Sequence, residues 1–299
     1  MHSLWKTKRD DWKVWISMTE RIYEALQRAK TRLASNNLDE NAAQLLMEHV
    51  TNKSGASLLA DLREPLTPEQ QTDFWNKTEQ LLTGKPVQHI IGTEMFYGLS
   101  FEVNEHVLIP RPETEELVFG ALERSKHLPE DARVADIGTG SGAIAIAYKK
   151  ERPNAMVTAV DISEAALEVA KRNASHNGVS IDFRQGDLTN PIAMEKWDIV
   201  LSNPPYIAVE ESVDMSRTVL DFEPHGALFA EDDGLFFYKK LAENLPPLMN
   251  VPSVIGLEIG YQQGPAVARL FENAFPAARV SIVKDINGKD RMIFCEIDE

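Results

Sequence analysis

From Val134 to Phe275 the chain alternates short apolar runs with stretches of helical periodicity. Residues 134–137, 157–160, 181–184, 199–201 and 254–259 read as strands, and residues 143–151, 165–177, 235–245 and 265–275 as helices. Helical crossovers between successive strands dictate a doubly wound, parallel α/β sheet covered on both faces. The alternation breaks at the end. Residues 280–284 and 291–297 flank Asn287-Gly288, a strong hairpin signal, so the sheet is expected to finish in an antiparallel pair.

Upstream the pattern is helical. Ile22, Leu26, Ala29 and Leu33 recur at helical spacing; residues 41–49, 57–62 and 67–82 read as further helices. Thr67-Pro68-Glu69-Gln70 combines a capping Thr, a Pro at the first helical position and a Gln three residues on. Residues 87–94 and 96–103 are β-rich, with Gly92 and Tyr97-Gly98 as turn candidates. Pro110 and Pro112 stop that region, and a helix over 113–126 follows. The expected organisation is a leader outside the fold (1–18), a small helical-bundle domain (19–85), a β-hairpin linker (86–108) and the α/β domain (109–299). The leader carries Lys6, Lys8, Arg9 and Lys13 among three tryptophans but no long apolar core, which argues against a secretory signal. Met18 is a candidate second start.

Charge narrows the partners. Asp and Glu number 46 against 31 Lys and Arg, a net −15. Residues 1–85 hold 12 basic and 12 acidic side chains, so the whole excess falls on 86–299, with 19 basic and 34 acidic. That balance argues against direct nucleic-acid binding through phosphate contacts. No apolar run reaches the ~18 residues of a membrane span, so no membrane partner is expected. Cys295 is the single cysteine, which excludes an intrachain disulfide and a thiolate cluster and fits a reducing cytoplasm. His89, His106 and His225 are scattered, so no metal is expected. A monomer is expected.

Asp136-Ile137-Gly138-Thr139-Gly140-Ser141-Gly142 lies between a strand and a helix, and its glycines let a ligand approach the main chain. Position 143 is Ala, so the full G-x-G-x-x-G spacing is absent. Asp161 ends the next strand, 19 residues after Gly142, where a carboxylate can accept both hydroxyls of a ribose. Three readings stand at this point: a tight turn with a capping acid, a nicotinamide site, and an S-adenosylmethionine site. In the last, the loop amides and Asp136 would hold the amino-acid tail, Asp161 the ribose, and Asp187 the adenine edge. Asp187 reads equally well as a polar turn residue.

The strand at 199–201 runs into Asn203-Pro204-Pro205-Tyr206, beyond the carboxyl end of the sheet where ligands bind in open α/β folds. Two prolines remove two main-chain donors and leave carbonyl oxygens to accept. Asn203 adds a side-chain acceptor, and Tyr206 a flat surface for stacking. The set suits a planar nitrogen carrying two hydrogens. Accepting both would orient a weakly nucleophilic amide for attack on a sulfonium methyl, without a titratable base.

These motifs, with the run FYGLSFEVNEHVLIPRPETEELV at 96–118, make the chain resemble the protein-(glutamine-N5) methyltransferases of the HemK/PrmC type, the release factor glutamine methyltransferases, over residues 19–299. The resemblance implies a seven-stranded class I methyltransferase sheet. It implies that Gly138, Thr139, Gly140, Ser141, Gly142, Asp161, Asp187, Leu188 and Asn203 bind S-adenosylmethionine. Asn203, Pro204, Pro205 and Tyr206 would hold the glutamine of the Gly-Gly-Gln loop, with Asn203, Pro204 and Tyr206 catalytic. Leu188 stands where some members have an aromatic residue. Arg111, Glu113 and Thr114 are implied near the cofactor or peptide; read alone, Pro112 and Glu113 simply begin a helix. Glu258 reads as a cap for the following turn, or as an acid touching the site. The ribosomal protein L3 glutamine methyltransferases tend to have Ser where this chain has Pro112, which favours peptide chain release factors as partners. A base N6-methyltransferase shares the tetrapeptide, and a non-catalytic release factor binder is the reading from another class.

Overall fold

The computed structural model describes residues 20–214 and 216–298. The leader and Met18 lie outside them. The chain divides into two compact units, one ending at Ile91 and one beginning at Gly92.

The first unit is helical: α1 (Ile22–Ala34), α2 (Asn41–Thr51), α3 (Gly55–Ala60), α4 (Pro68–Leu81) and α5 (Val87–Ile91). Leu26, Leu33, Leu46, Met47, Phe74 and Trp75 are buried together. The capping box forms as the spacing predicts, with Gln70 N–H donating to Thr67 Oγ1 at 3.2 Å and Thr67 N–H to Gln70 Oε1 at 3.0 Å. Helix α5 is a correction, because residues 87–91 were expected in a strand. The run begins just after Pro86 and buries Val87 in the helical core, with Ile90 and Ile91 packed beside it. Tertiary burial here outweighs the β-propensity of Val and Ile.

In the second unit β1 (Thr93–Phe96) and β2 (Leu99–Glu102) form the hairpin. Its turn is Tyr97-Gly98, both with positive φ, as a tight two-residue hairpin needs. Helix α6 (Pro112–Arg124) follows. The strands β3 (Arg133–Ile137), β4 (Met156–Asp161), β5 (Asp182–Gln185), β6 (Trp197–Ser202), β9 (Met249–Glu258), β10 (Arg279–Lys284) and β11 (Asp290–Ile297) build one seven-stranded sheet ordered β10-β11-β9-β6-β3-β4-β5. The five strands from β9 to β5 are parallel; β11 runs against β9 and β10 against β11, as the Asn-Gly hairpin predicts.

Alternate strand residues serve opposite faces. Val134, Ile199, Leu201, Val254 and Phe294 pack with α6 and α7 (Ala143–Glu151). Ala135, Ile137, Val200, Ile255 and Ile293 pack with α10 (Phe236–Asn244) and α11 (Gly264–Ala274). Helix α8 (Glu164–His176) crosses from β4 to β5. Between β6 and α10 lie two-residue strands, β7 (Ile207–Ala208) and β8 (Phe229–Ala230), which pair in parallel across the short helix α9 (Arg217–Phe222).

Candidate active site

Register fixes the site. Ile137 pairs with Val160 on one side and Ser202 on the other, and Ser202 pairs with Leu257. The residues that follow these strand positions, Gly138, Asp161, Asn203 and Glu258, therefore stand in one row along the carboxyl edge of the sheet. The chain leaves β3 toward β4 and later returns on the opposite side as β6, so the row spans the point where strand order reverses, the place ligands occupy in such sheets. Ser202 Oγ donates to Ile137 O at 2.6 Å and ties the two central strand ends together.

A cavity of about 420 Å³ opens at this row. That is within the range of small-molecule sites. Gly138, Thr139, Gly140, Ser141, Asp161, Asp187, Leu188, Asn203, Pro204 and Pro205 all line it. Gly142 and Tyr206 do not, and neither does Asp136, expected at the amino-acid tail. Gly142 sits behind the loop as the N-cap of α7, and Tyr206 lies beyond the wall, partly buried against the apolar cluster under α10 and α11. Burial pushes the Tyr206 phenol up to about 12, with the nearby Glu258 carboxyl adding to it, so Tyr206 stays protonated at neutral pH.

The loop has the shape of a cradle. Gly138 and Gly140 hold φ of 73° and 55°, and a Cβ on either would meet nothing within 4 Å. Asp161 braces the loop, with Oδ2 accepting from Gly140 N–H at 2.8 Å and Oδ1 from Ser163 N–H at 2.9 Å. A carboxylate has about four acceptor positions, so both oxygens retain capacity for a diol. Burial raises the Asp161 pKa, against the lowering effect of those amides. Asp136 is fully buried behind the loop. Its Oδ2 accepts from Thr139 Oγ1 at 2.6 Å and Ala145 N–H at 3.2 Å, while Oδ1 has no partner among the described residues. Such an orphaned acceptor suits an ammonium or an ordered water. Burial pushes its pKa to about 7. An open glycine cradle, a carboxylate with spare acceptors and a buried unpaired oxygen fit the tail and ribose of S-adenosylmethionine.

Asn203 is held from the side away from the loop. Its Nδ2 donates to Thr114 Oγ1 at 3.1 Å, and Thr114 Oγ1 donates to Glu258 Oε2 at 2.6 Å. Thr114 lies in the first turn of α6, and Glu258 ends β9. This corrects the capping role for Glu258: the turn after β9 is closed by Gln263, whose Oε1 accepts from Gly260 N–H at 3.0 Å. Among the described residues no donor reaches the main-chain oxygens of Asn203 or Pro204, so both remain available to a substrate.

Pro112 and Glu113 do begin a helix, and Arg111 just before them lines the cavity. Arg111 Nη2 donates to both carboxylate oxygens of Glu223. Pro224, Gly226 and Ala227 complete one wall, so the segment after the tetrapeptide covers part of the cavity. Sequence reasoning passed over Glu223; one acid in an irregular segment carries no signal of a partner 112 residues away. Among the described residues no three His, Cys, Asp or Glu side chains gather at a metal-sized site, and no helix is long and apolar enough to cross a membrane.

Residues 117–221 match the family described as Methyltransferase small domain, and residues 24–92 match the PrmC N-terminal domain. A release factor glutamine methyltransferase of Bacillus anthracis is 47% identical over 282 residues, covering 93% of this chain and all of that one. Its counterpart in Bacillus subtilis is 47% identical over 277 residues, covering 91% of this chain and 96% of that one. A crystal structure of a methyltransferase from Pyrococcus furiosus superposes with a TM-score of 0.52 at 18% identity, covering 75% of this chain and 99% of that one, which shows a shared fold.

Proposed function

The chain belongs to the release factor glutamine methyltransferase family, and from that premise we propose that it transfers a methyl group from S-adenosylmethionine to the side-chain amide nitrogen, N5, of the glutamine in the Gly-Gly-Gln motif of peptide chain release factors. The observation that carries the reading is that Asn203, Pro204 and Pro205 line the same cavity as the glycine cradle and Asp161. A methyl donor and an amide acceptor can thus meet at one point.

When bound, the cofactor supplies an electrophilic methyl on a sulfonium. Gly138 to Ser141 and Asp161 would hold its polar ends, and Asp187 and Leu188, which line the same cavity, would border the adenine. Asn203 Oδ1 and the main-chain oxygen of Pro204 accept the two hydrogens of the glutamine amide. That would orient the nitrogen toward the methyl and raise its electron density. Such positioning can contribute up to ~7–11 kcal/mol. No base is needed before transfer, because the nitrogen loses its proton afterwards. Tyr206 does not line the cavity and packs against the neighbouring apolar cluster, where it supports the end of the tetrapeptide. The acidic balance of residues 86–299 supports a protein substrate over a nucleic acid. The single buried Cys295 supports a cytoplasmic protein.

The test offers labelled S-adenosylmethionine with release factor, ribosomal protein L3 and DNA side by side. Label on release factor that disappears when the glutamine of its Gly-Gly-Gln motif is changed to Ala supports the reading. Label on L3 or DNA alone, or label that survives that change, overturns it.

A further inference from the structure

We infer that Thr114 and Glu258 are positioning residues that fix the Asn203 amide with its carbonyl oxygen, rather than its NH2, toward the acceptor nitrogen. The inference deepens the methyl-transfer reading above and rests on it.

The two ends of an Asn amide have nearly the same shape, and only the surrounding donors and acceptors decide which way it faces. Here they decide it through a chain of single protons. Thr114 has one hydroxyl hydrogen, and at 2.6 Å it goes to Glu258 Oε2. A hydroxyl whose hydrogen is given away can only accept from its other neighbour. That neighbour is Asn203, 3.1 Å away, so the NH2 end must face Thr114. The NH2 also steadies the ionised Glu258 carboxyl directly. Oδ1 is then the end left to the cavity. The opposite arrangement would set NH2 against the NH2 of a substrate amide, donor against donor.

The three members come from three places, the residue after β6, the first turn of α6 and the end of β9, with partners 89 and 144 positions apart in the chain. Thr114 and Glu258 are both buried, at 4% and 2% exposure, so water does not compete for the chain of bonds. Other groups facing the Glu258 carboxyl are Arg291 of β11, Glu113 of α6 and the phenols of Tyr206 and Tyr238. Arg291 favours its charge; Glu113 opposes it.

The device depends on that charge. A protonated Glu258 can donate to Thr114. Thr114 is then free to donate to Asn203, and the amide can turn with Oδ1 inward. Burial pushes Glu258 to about 7, so this loss is centred near neutrality and deepens as pH falls.

The experiment measures kcat at saturating release factor, cofactor Kd by calorimetry, and the side-chain NH2 signals of Asn203 by NMR on asparagine-labelled protein. Thr114→Val keeps the branched shape without the hydroxyl. Its kcat should fall about tenfold, the size of one hydrogen bond, with cofactor Kd within about threefold. Thr114→Ser should restore most of the rate. Wild-type kcat should fall below neutral pH, and Glu258→Gln should lose that acid limb. Wild-type kcat in Thr114→Val, or an acid limb that persists in Glu258→Gln, overturns the inference; the Glu258→Gln arm stands if Thr114→Val does not fold. A wild type inactive on release factor would instead overturn the proposed function. The NMR arm then decides alone: Asn203 side-chain signals that shift in Thr114→Val support the chain of bonds, and unmoved signals overturn it.

Discussion

Arg111 grips Glu223 through one terminal nitrogen shared between the two carboxylate oxygens, at 2.7 and 2.8 Å. The pair joins the residue before α6 to the residue after α9, and both neighbouring stretches line the cavity. The Glu223 side chain is almost wholly buried, at 2% exposure, whereas Arg111 keeps 35%. Removing the arginine therefore strands a buried charge. Arg111→Ala should destabilise by about 2 kcal/mol, below the ~3–5 kcal/mol of a fully buried pair because Arg111 is partly solvated. It should also weaken cofactor binding, since the wall at Pro224–Ala227 loosens.

The pH dependence of that variant has a definite sign. Burial raises the Glu223 pKa, and Arg111 is the main group lowering it. Without Arg111 the folded pKa rises further above its unfolded value. Stability tied to a raised carboxyl is present at low pH and lost as pH rises through the folded pKa. The stability gap between wild type and Arg111→Ala should widen as pH rises above the ordinary carboxylate range. Thermal melts across that rise in pH check it, and a constant gap would contradict the pairing.

Gly140 and Gly142 should separate binding from folding. Both hold positive φ, so alanine at either costs about 1–2 kcal/mol in backbone strain. A Cβ at Gly140 meets nothing in the protein within 4 Å, whereas at Gly142 it would lie 2.9 Å from Ile146 Cδ1 and 3.1 Å from Ala170 Cβ. Gly142→Ala should lower Tm the more of the two. Gly140→Ala should lose more cofactor affinity than its small Tm change explains. Paired melting and calorimetry would reveal a reversed order.

The contrast shows what the sequence carries and what it withholds. The alternation of strands and helices, the Asn287-Gly288 hairpin and the Thr67–Gln70 cap are local patterns, and each is found where the spacing predicts. The row of Gly138, Asp161 and Asn203 was also legible, because strand ends in a parallel sheet share an edge. Residues 87–91 misled because a β-branched run has no local signal for the core that claims it as helix. Glu223, Thr114 and Glu258 take their roles from partners more than 100 residues away in the chain. Gly142 looked like part of the ligand cradle, and only the packing of Ile146 and Ala170 against it separates a glycine needed for folding from one open to a ligand.

Asp136 should leave a mark on stability. Its carboxyl is fully buried, and burial raises it from 3.8 to about 7. A raised pKa means that the folded chain holds a proton the unfolded chain has released. Stability from this group is full below about pH 4 and declines as pH rises to about 7, by at most on the order of 4 kcal/mol. Asp136→Asn should flatten that part of the Tm–pH curve while keeping an acceptor for Thr139. An unchanged slope would mean that the carboxyl is ionised throughout, held by a partner at Oδ1.

Asn203 and Asp161 should fail in different ways when truncated. Asn203 offers an acceptor to the reacting nitrogen, so its effect belongs to the transition state more than to cofactor binding. Asn203→Ala should cut kcat by about 100-fold while cofactor Kd moves by no more than a few-fold. Asp161 holds the loop through Gly140 and Ser163 and offers its spare acceptors to a ribose. Asp161→Ala should therefore weaken cofactor binding first, by about tenfold or more, as expected for losing charge-assisted hydrogen bonds. At saturating cofactor much of its rate should return, whereas Asn203→Ala should recover nothing. Calorimetry and saturation kinetics on the two variants separate these outcomes. If Asn203→Ala lost its rate wholly through cofactor affinity, Asn203 would be a cofactor ligand rather than the group that orients the amide.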